Sequence, residues 1–243
     1  MKKIIIPILI MATAFFSYQA FKLHMENYKR EKLASVIQKH VWFDEEPAIA
    51  VNTISEVQEL WQSKKRCCEE QEILQQNNRE FTRACYTAAF KHINNEPLVV
   101  KCLSLMSSVA EDFDSRYSIN SYLIDNYIQH KNDISNCVNC NTGDIITRTA
   151  HRLSYHEQSK GNLLKAIEIL ENIITVRNDA ALWIQVETLE KLGNLYLENN
   201  VTKQQKEFIN FRYEQLLNAS TNNEAATRRI PNLEKVLDKI NSK

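Results

Sequence analysis

The chain has 243 residues, 44% of them apolar, with 30 Lys and Arg balanced by 30 Asp and Glu and only 3 glycines. The neutral balance removes the long-range field that gathers nucleic-acid phosphates, and the composition is that of a folded protein. Gly143, Gly161 and Gly193 cannot assemble a phosphate loop, a dinucleotide fingerprint or a nucleophile elbow, each of which needs glycine where the backbone turns at positive φ or approaches a ligand.

With only four prolines (Pro7, Pro47, Pro97 and Pro231), the pattern predicts an all-α fold, helices separated by short polar breaks. Lys2 and Lys3 precede an apolar run from Ile4 to Phe16, the pattern of a secretory signal or signal anchor over residues 1–21. A small-x-small cleavage site is poor, since Ala20 has Tyr18 at its minus-three position. Retention as an anchor is therefore expected, the stretch to Phe21 giving roughly 27 Å of helix. This places the protein in the periplasm, held to the inner membrane by its N-terminus, with secretion as the alternative.

Residues 22–130 read as a helical region tied by disulfides. Leu33, Val36, Ile37 and Val41 recur at helical spacing over 24–42, and Thr53 with Glu56 forms a capping-box pattern ahead of Ile54, Val57, Leu60 and Trp61. A helix over about 79–93 presents Phe81, Cys85, Ala88, Ala89 and Ile93. Pro97 opens the next, with Val99, Cys102, Leu103 and Met106 on its apolar side. Six cysteines, Cys67, Cys68, Cys85, Cys102, Cys137 and Cys140, fit an oxidising compartment and three bridges, although six allow 15 pairings. Expected breaks at Asn77-Asn78 and Asn94-Asn95 lie midway, or nearly so, between Cys68, Cys85 and Cys102, so these sulfurs would face one another across helix hairpins. Tyr122, Leu123, Tyr127 and Ile128 form a core stripe.

Cys137-x-x-Cys140 falls in a polar loop over 131–144. It reads as a structural disulfide, because no further ligands stand at zinc-finger spacing and no alternating strand-helix pattern supports a redox motif. Asp144 is expected to cap the helix that follows.

From 145 to 243 the helical signal continues. Ala150, Leu153, Ser154, Gly161, Leu163, Ala166, Leu170 and Ile173 resemble the spacing of a tetratricopeptide repeat, with Gly161-Asn162-Leu163 at the turn. Leu192-Gly193-Asn194-Leu195-Tyr196 is a second, weaker echo, but the 34-residue period is not kept and Gln205 stands where a small residue is expected. The resemblance covers 147–220 and names Leu153, Gly161, Ala166, Leu170, Gly193 and Tyr196 as packing positions. It implies a solenoid of stacked antiparallel helix hairpins whose concave face holds a protein segment.

No catalytic motif is present. Glu111, Asp112 and Asp114 lack the glycine and the terminal glutamate of a calcium loop, and His151 and His156, near Glu157, stand one residue too far apart for a single helical face. Lys64-Lys65-Arg66 and Arg228-Arg229 read as solvated helix faces. The expectation is a non-catalytic exported scaffold that binds another envelope or secreted protein, with no cofactor, no metal and no nucleic acid. An immunity protein against an envelope toxin and an all-helical cell-wall enzyme are the alternatives.

Overall fold

The computed structural model describes residues 2–37, 49–65, 71–110, 112–129, 142–220 and 222–242, with the side chains of 2–10, 12, 64, 65 and 71–75 outside the described set. Among the described residues the regular elements are eleven α-helices and no strand, as the sequence predicts: α1 (Lys2–Ile37), α2 (Ile54–Lys65), α3 (Gln71–Lys91), α4 (Glu96–Val109), α5 (Phe113–Tyr127), α6 (Thr142–Ser159), α7 (Leu163–Val176), α8 (Leu182–Glu198), α9 (Lys203–Ser220), α10 (Glu224–Thr227) and α11 (Ile230–Ser242).

From α2 to α9 each helix packs on the next, and α2, α4, α6 and α8 also touch one another in sequence. The helix α11 lies against α8 and α9. One hydrophobic cluster runs through the whole stack, joining Leu33, Phe81, Leu103, Leu123, Leu153, Leu189 and Leu237. Described residues of 22–130 and of 145–243 therefore share one core, and α1 runs on past residue 21.

Local signals account for many of the helix ends. At the start of α2, Glu56 N–H donates to Thr53 Oγ1 at 3.2 Å and Thr53 N–H returns to the Glu56 carboxylate at 3.3 Å, the reciprocal capping box. Asn95 caps α4, with Pro97 in its first turn. Gly161, at φ 81°, closes α6: Asn162 N–H reaches Glu157 O at 2.8 Å and Gly161 N–H reaches Gln158 O at 2.9 Å, a Schellman arrangement.

Several expectations are corrected. Asn77-Asn78 is not a break but lies within α3, where Asn78 O accepts the Thr82 hydroxyl at 2.6 Å. No hairpin turns at Asn77-Asn78, and Cys68 itself lies outside the described residues. The Asn94-Asn95 turn does set Cys85 and Cys102 together, yet as buried free thiols rather than a bridge. Both are fully buried and pack as small apolar side chains. Cys67, Cys68, Cys137, Cys140, Val41 and Glu111 lie outside the described residues. Gln205 is the return half of a second capping box: Thr202 N–H donates to its side-chain oxygen at 3.0 Å, and Gln205 N–H to Thr202 Oγ1 at 3.2 Å.

The C-terminal part of α1 joins the body through buried Leu33 and Ile37, through Arg30 Nε to Phe90 O at 3.2 Å, and through Lys32 to Asn126 at 2.8 Å. Farther toward the N-terminus, Phe15, Phe16, Phe21 and Leu23 are exposed. Among the described residues no helix is long and apolar enough to cross a membrane.

Candidate functional site

The helix hairpin α6–α7 sets the site. Ala150, Leu153 and Ser154 on α6 are buried with Ala166 and Leu170 of α7, and the Ser154 hydroxyl donates to Ala166 O at 3.0 Å. Burying that face leaves Arg148, Arg152 and Tyr155 exposed at i, i+4 and i+7, one stripe along α6. The neighbouring α8 contributes Trp183 in its first turn. The guanidinium carbons of Arg148 and Arg229 lie 5.0 and 5.2 Å from the Trp183 ring centroid, within cation–π range.

One turn further along α8, Glu187 receives Arg229 at 3.2 Å and Lys191 at 3.4 Å. Beneath them His151 is buried, its Nε2 2.7 Å from Thr188 Oγ1. Because the Thr188 hydroxyl donates to Ile184 O at 2.7 Å, the His151 Nε2–H is the donor in that contact. Burial, followed by the charges of Lys191, Arg148 and Arg229, brings the imidazole pKa down to about 3. His151 is thus a neutral hydrogen-bonded core group, and the cations around it raise the positive potential of the face above.

At the other end of the stripe His156 is stacked against Phe113 at 3.8 Å and Tyr117 at 4.3 Å, centroid to centroid. Glu157 is buried beside it and receives Tyr117 Oη at 2.6 Å, Lys165 at 2.8 Å and Asn162 Nδ2 at 2.8 Å. Burial alone would raise its pKa; the hydrogen bonds from Lys165, Tyr117 and Asn162 outweigh it and hold the carboxyl at about 2. A cavity of about 370 Å³ opens between α4, α5 and α6, bordered by Arg116, Arg152, Tyr155 and His156. A second, of about 330 Å³, is bordered by Arg177 and Arg212. There Arg177 pairs with Asp179 at 2.7 Å and Arg212 donates to Ile174 O, so both cations already serve the fold.

No family model, curated protein or solved structure matches this chain. What the site can do therefore rests on its own geometry. His151 and His156 do not converge: one is locked to Thr188, the other stacked between rings, and Glu157 is spent on three donors. Among the described residues no group of His, Cys, Asp and Glu is arranged to hold a metal ion. The packing positions Leu153, Ala166, Leu170, Gly193 and Tyr196 are buried, whereas Gly161 lies at the surface in its turn. Gly193 serves α11 and α9, since a Cβ there would meet Val236 Cγ1 at 2.6 Å and Ile209 Cδ1 at 3.0 Å.

Arg116, Arg148, Arg152 and Trp183 are the site residues that sequence reasoning passed over. The i, i+4, i+7 spacing of Arg148, Arg152 and Tyr155 was the available signal. Arg229, read as part of a solvated run, instead leans on Trp183 and Glu187, while Arg228 pairs with Glu224 on the surface.

Proposed function

We propose that this chain is a non-catalytic helical scaffold of solenoid type that holds an acidic segment of another protein along the face formed by α5, α6, α8 and the α10–α11 turn. The contacts among α2, α4, α6 and α8 support the solenoid reading, because a two-layer stack curves toward its tighter row and makes that row concave. The carrying observation is the basic and aromatic stripe along that row: Arg148, Arg152 and Tyr155 of α6 and Trp183 and Lys191 of α8, joined by Arg116 of α5 and by Arg229 of the α10–α11 turn, which with Arg148 lies over Trp183. Glu187 answers only part of this charge. Arginine with exposed aromatic surface is the composition enriched at protein interfaces, and its sign selects an acidic partner.

The location belongs to the same reading. Lys2-Lys3 followed by the apolar run supports export with the N-terminus retained, and the exposed Phe15, Phe16, Phe21 and Leu23 on a helix leaving the body are compatible with lipid contact. A phosphatase active only in the periplasm, fused at Lys243, is expected to be active; a fusion active only as a cytoplasmic reporter contradicts export.

Fluorescence anisotropy of a labelled glutamate-rich peptide tests the binding. Affinity is expected for the acidic peptide and not for its lysine counterpart, weakening as salt rises. Equal binding of both peptides, or of neither, contradicts the proposal.

A further inference from the structure

The cavity between α4, α5 and α6 has the volume of a small-molecule site, about 370 Å³. Two guanidinium groups border it. Arg116 is anchored through Nε to Ala110 O at 2.7 Å, and its terminal nitrogens make no hydrogen bond among the described residues. Arg152, one turn from His156, makes no hydrogen bond or ion pair among them at all. Two like charges kept together, with no ion pair to either among the described residues, favour an incoming anion, and guanidinium geometry suits a carboxylate.

The wall supplies a second, independent feature. His156 is 5% exposed, and its Nε2 is buried without a hydrogen-bond partner. The ring is held by stacking on Phe113 and Tyr117, and an unpaired buried nitrogen is unfavourable. A ligand that reaches it would remove that cost. Exposed ring surface completes the lining: Tyr155 is 71% and Phe113 49% exposed. The nearest acids do not fill the role of the anion, because Glu157 is engaged by Tyr117, Lys165 and Asn162, and Asp114 stands exposed at the start of α5.

We propose that this cavity binds a small aromatic anion, its carboxylate between Arg116 and Arg152, a hydrogen bond to His156 Nε2, and its ring against the outer surface of Phe113 or Tyr155. The site goes beyond the acidic-segment reading, since it needs no protein partner, although it shares Arg116, Arg152 and Tyr155 with the stripe. The aromatic anion can be a free molecule or a tyrosine flanked by acids in a bound segment.

Calorimetric titration of the full chain with benzoate, and with benzyl alcohol as its uncharged counterpart, tests the proposal. Saturable benzoate binding is expected, at least about tenfold tighter than benzyl alcohol. Arg116→Gln and Arg152→Gln are each expected to weaken it about tenfold, and Lys203→Gln, exposed on α9 outside both the cavity and the stripe, to leave it unchanged. His156→Phe keeps the ring stack, so it is expected to retain or raise the melting temperature while lowering benzoate affinity. If His156→Phe raises stability and leaves affinity untouched, or if benzoate fails to saturate the folded protein, the proposal is overturned. Displacement of benzoate by a glutamate peptide only when it carries tyrosine assigns the bound segment as the source; displacement by neither peptide assigns a free molecule. Loss of the benzoate site with glutamate-peptide affinity intact overturns the cavity alone, and the converse overturns only the groove reading.

Discussion

The carboxylate of Asp144 on α6 accepts the backbone N–H of Ala181 at 2.7 Å, so the residue that opens one hairpin caps the first helix of the next. Sequence reasoning expects Asp144 to cap its own helix. The structure instead starts α6 at Thr142 and uses Asp144 across the stack. Gly143 makes that approach possible: a Cβ there would stand 2.8 Å from Ala180 N and 2.9 Å from the Asp179 carbonyl carbon. Asp144→Ala is expected to cost about 1 kcal/mol as a lost helix cap, and Gly143→Ala about 1–3 kcal/mol as an overpacked contact against backbone. Urea unfolding of the two variants checks the order.

Gly193 tests the other close contact. Gly193→Ala is expected to destabilise by about 1–3 kcal/mol, because Val236 Cγ1 and Ile209 Cδ1 occupy the space the methyl would take. Combining it with Val236→Ala is expected to recover part of that loss. A double-mutant cycle with no coupling would place the strain elsewhere.

The part of the fold legible in the sequence was the part fixed by short-range chemistry. Thr53 with Glu56, Asn95 with Pro97, and Gly161 each satisfy backbone groups within a few residues, so their spacing announces them. Asn77-Asn78 misled because asparagine is tolerated inside a helix whose neighbouring turns are held by tertiary packing, as Phe81, Ala84 and Cys85 hold α3. The candidate site was mostly illegible. Arg229 reaches Trp183 and Glu187 over more than 40 positions of sequence, and only the stacking of α8 on α10 brings them together.

Acid stability is expected to fall in two windows. His151 has a folded pKa near 3 against an ordinary value of about 6.5, so its contribution is complete above about pH 6.5 and is lost as pH falls toward 3. Glu157 is held at about 2, so its contribution is complete above about pH 5 and disappears as pH falls toward 2. Stability measured against pH is therefore expected to flatten between pH 6.5 and 5 in His151→Gln, and below pH 5 in Glu157→Gln. Curves parallel to the wild type in both variants would contradict the assignment.

The two described cysteines are expected to be inert in the folded state. Cys85 and Cys102 are fully buried, and burial raises the Cys85 thiol pKa, with Cys102 beside it adding to the effect. Maleimide labelling read by mass spectrometry is expected to miss both positions in the native protein and to reach both in urea. Labelling without denaturant, or a Cys85–Cys102 disulfide peptide, would contradict the packing.

The most direct test of the binding face removes its charge without altering the stack. Arg148→Gln with Arg229→Gln takes both cations from Trp183, while Lys203→Gln with Lys206→Gln makes the same change in net charge on α9. Calorimetric titration with a glutamate-rich peptide is expected to show at least about a tenfold loss of affinity for the first pair, equivalent to about 1.4 kcal/mol, and little change for the second. Equal losses in both pairs, or none in either, would contradict an acidic segment held along α6 and α8.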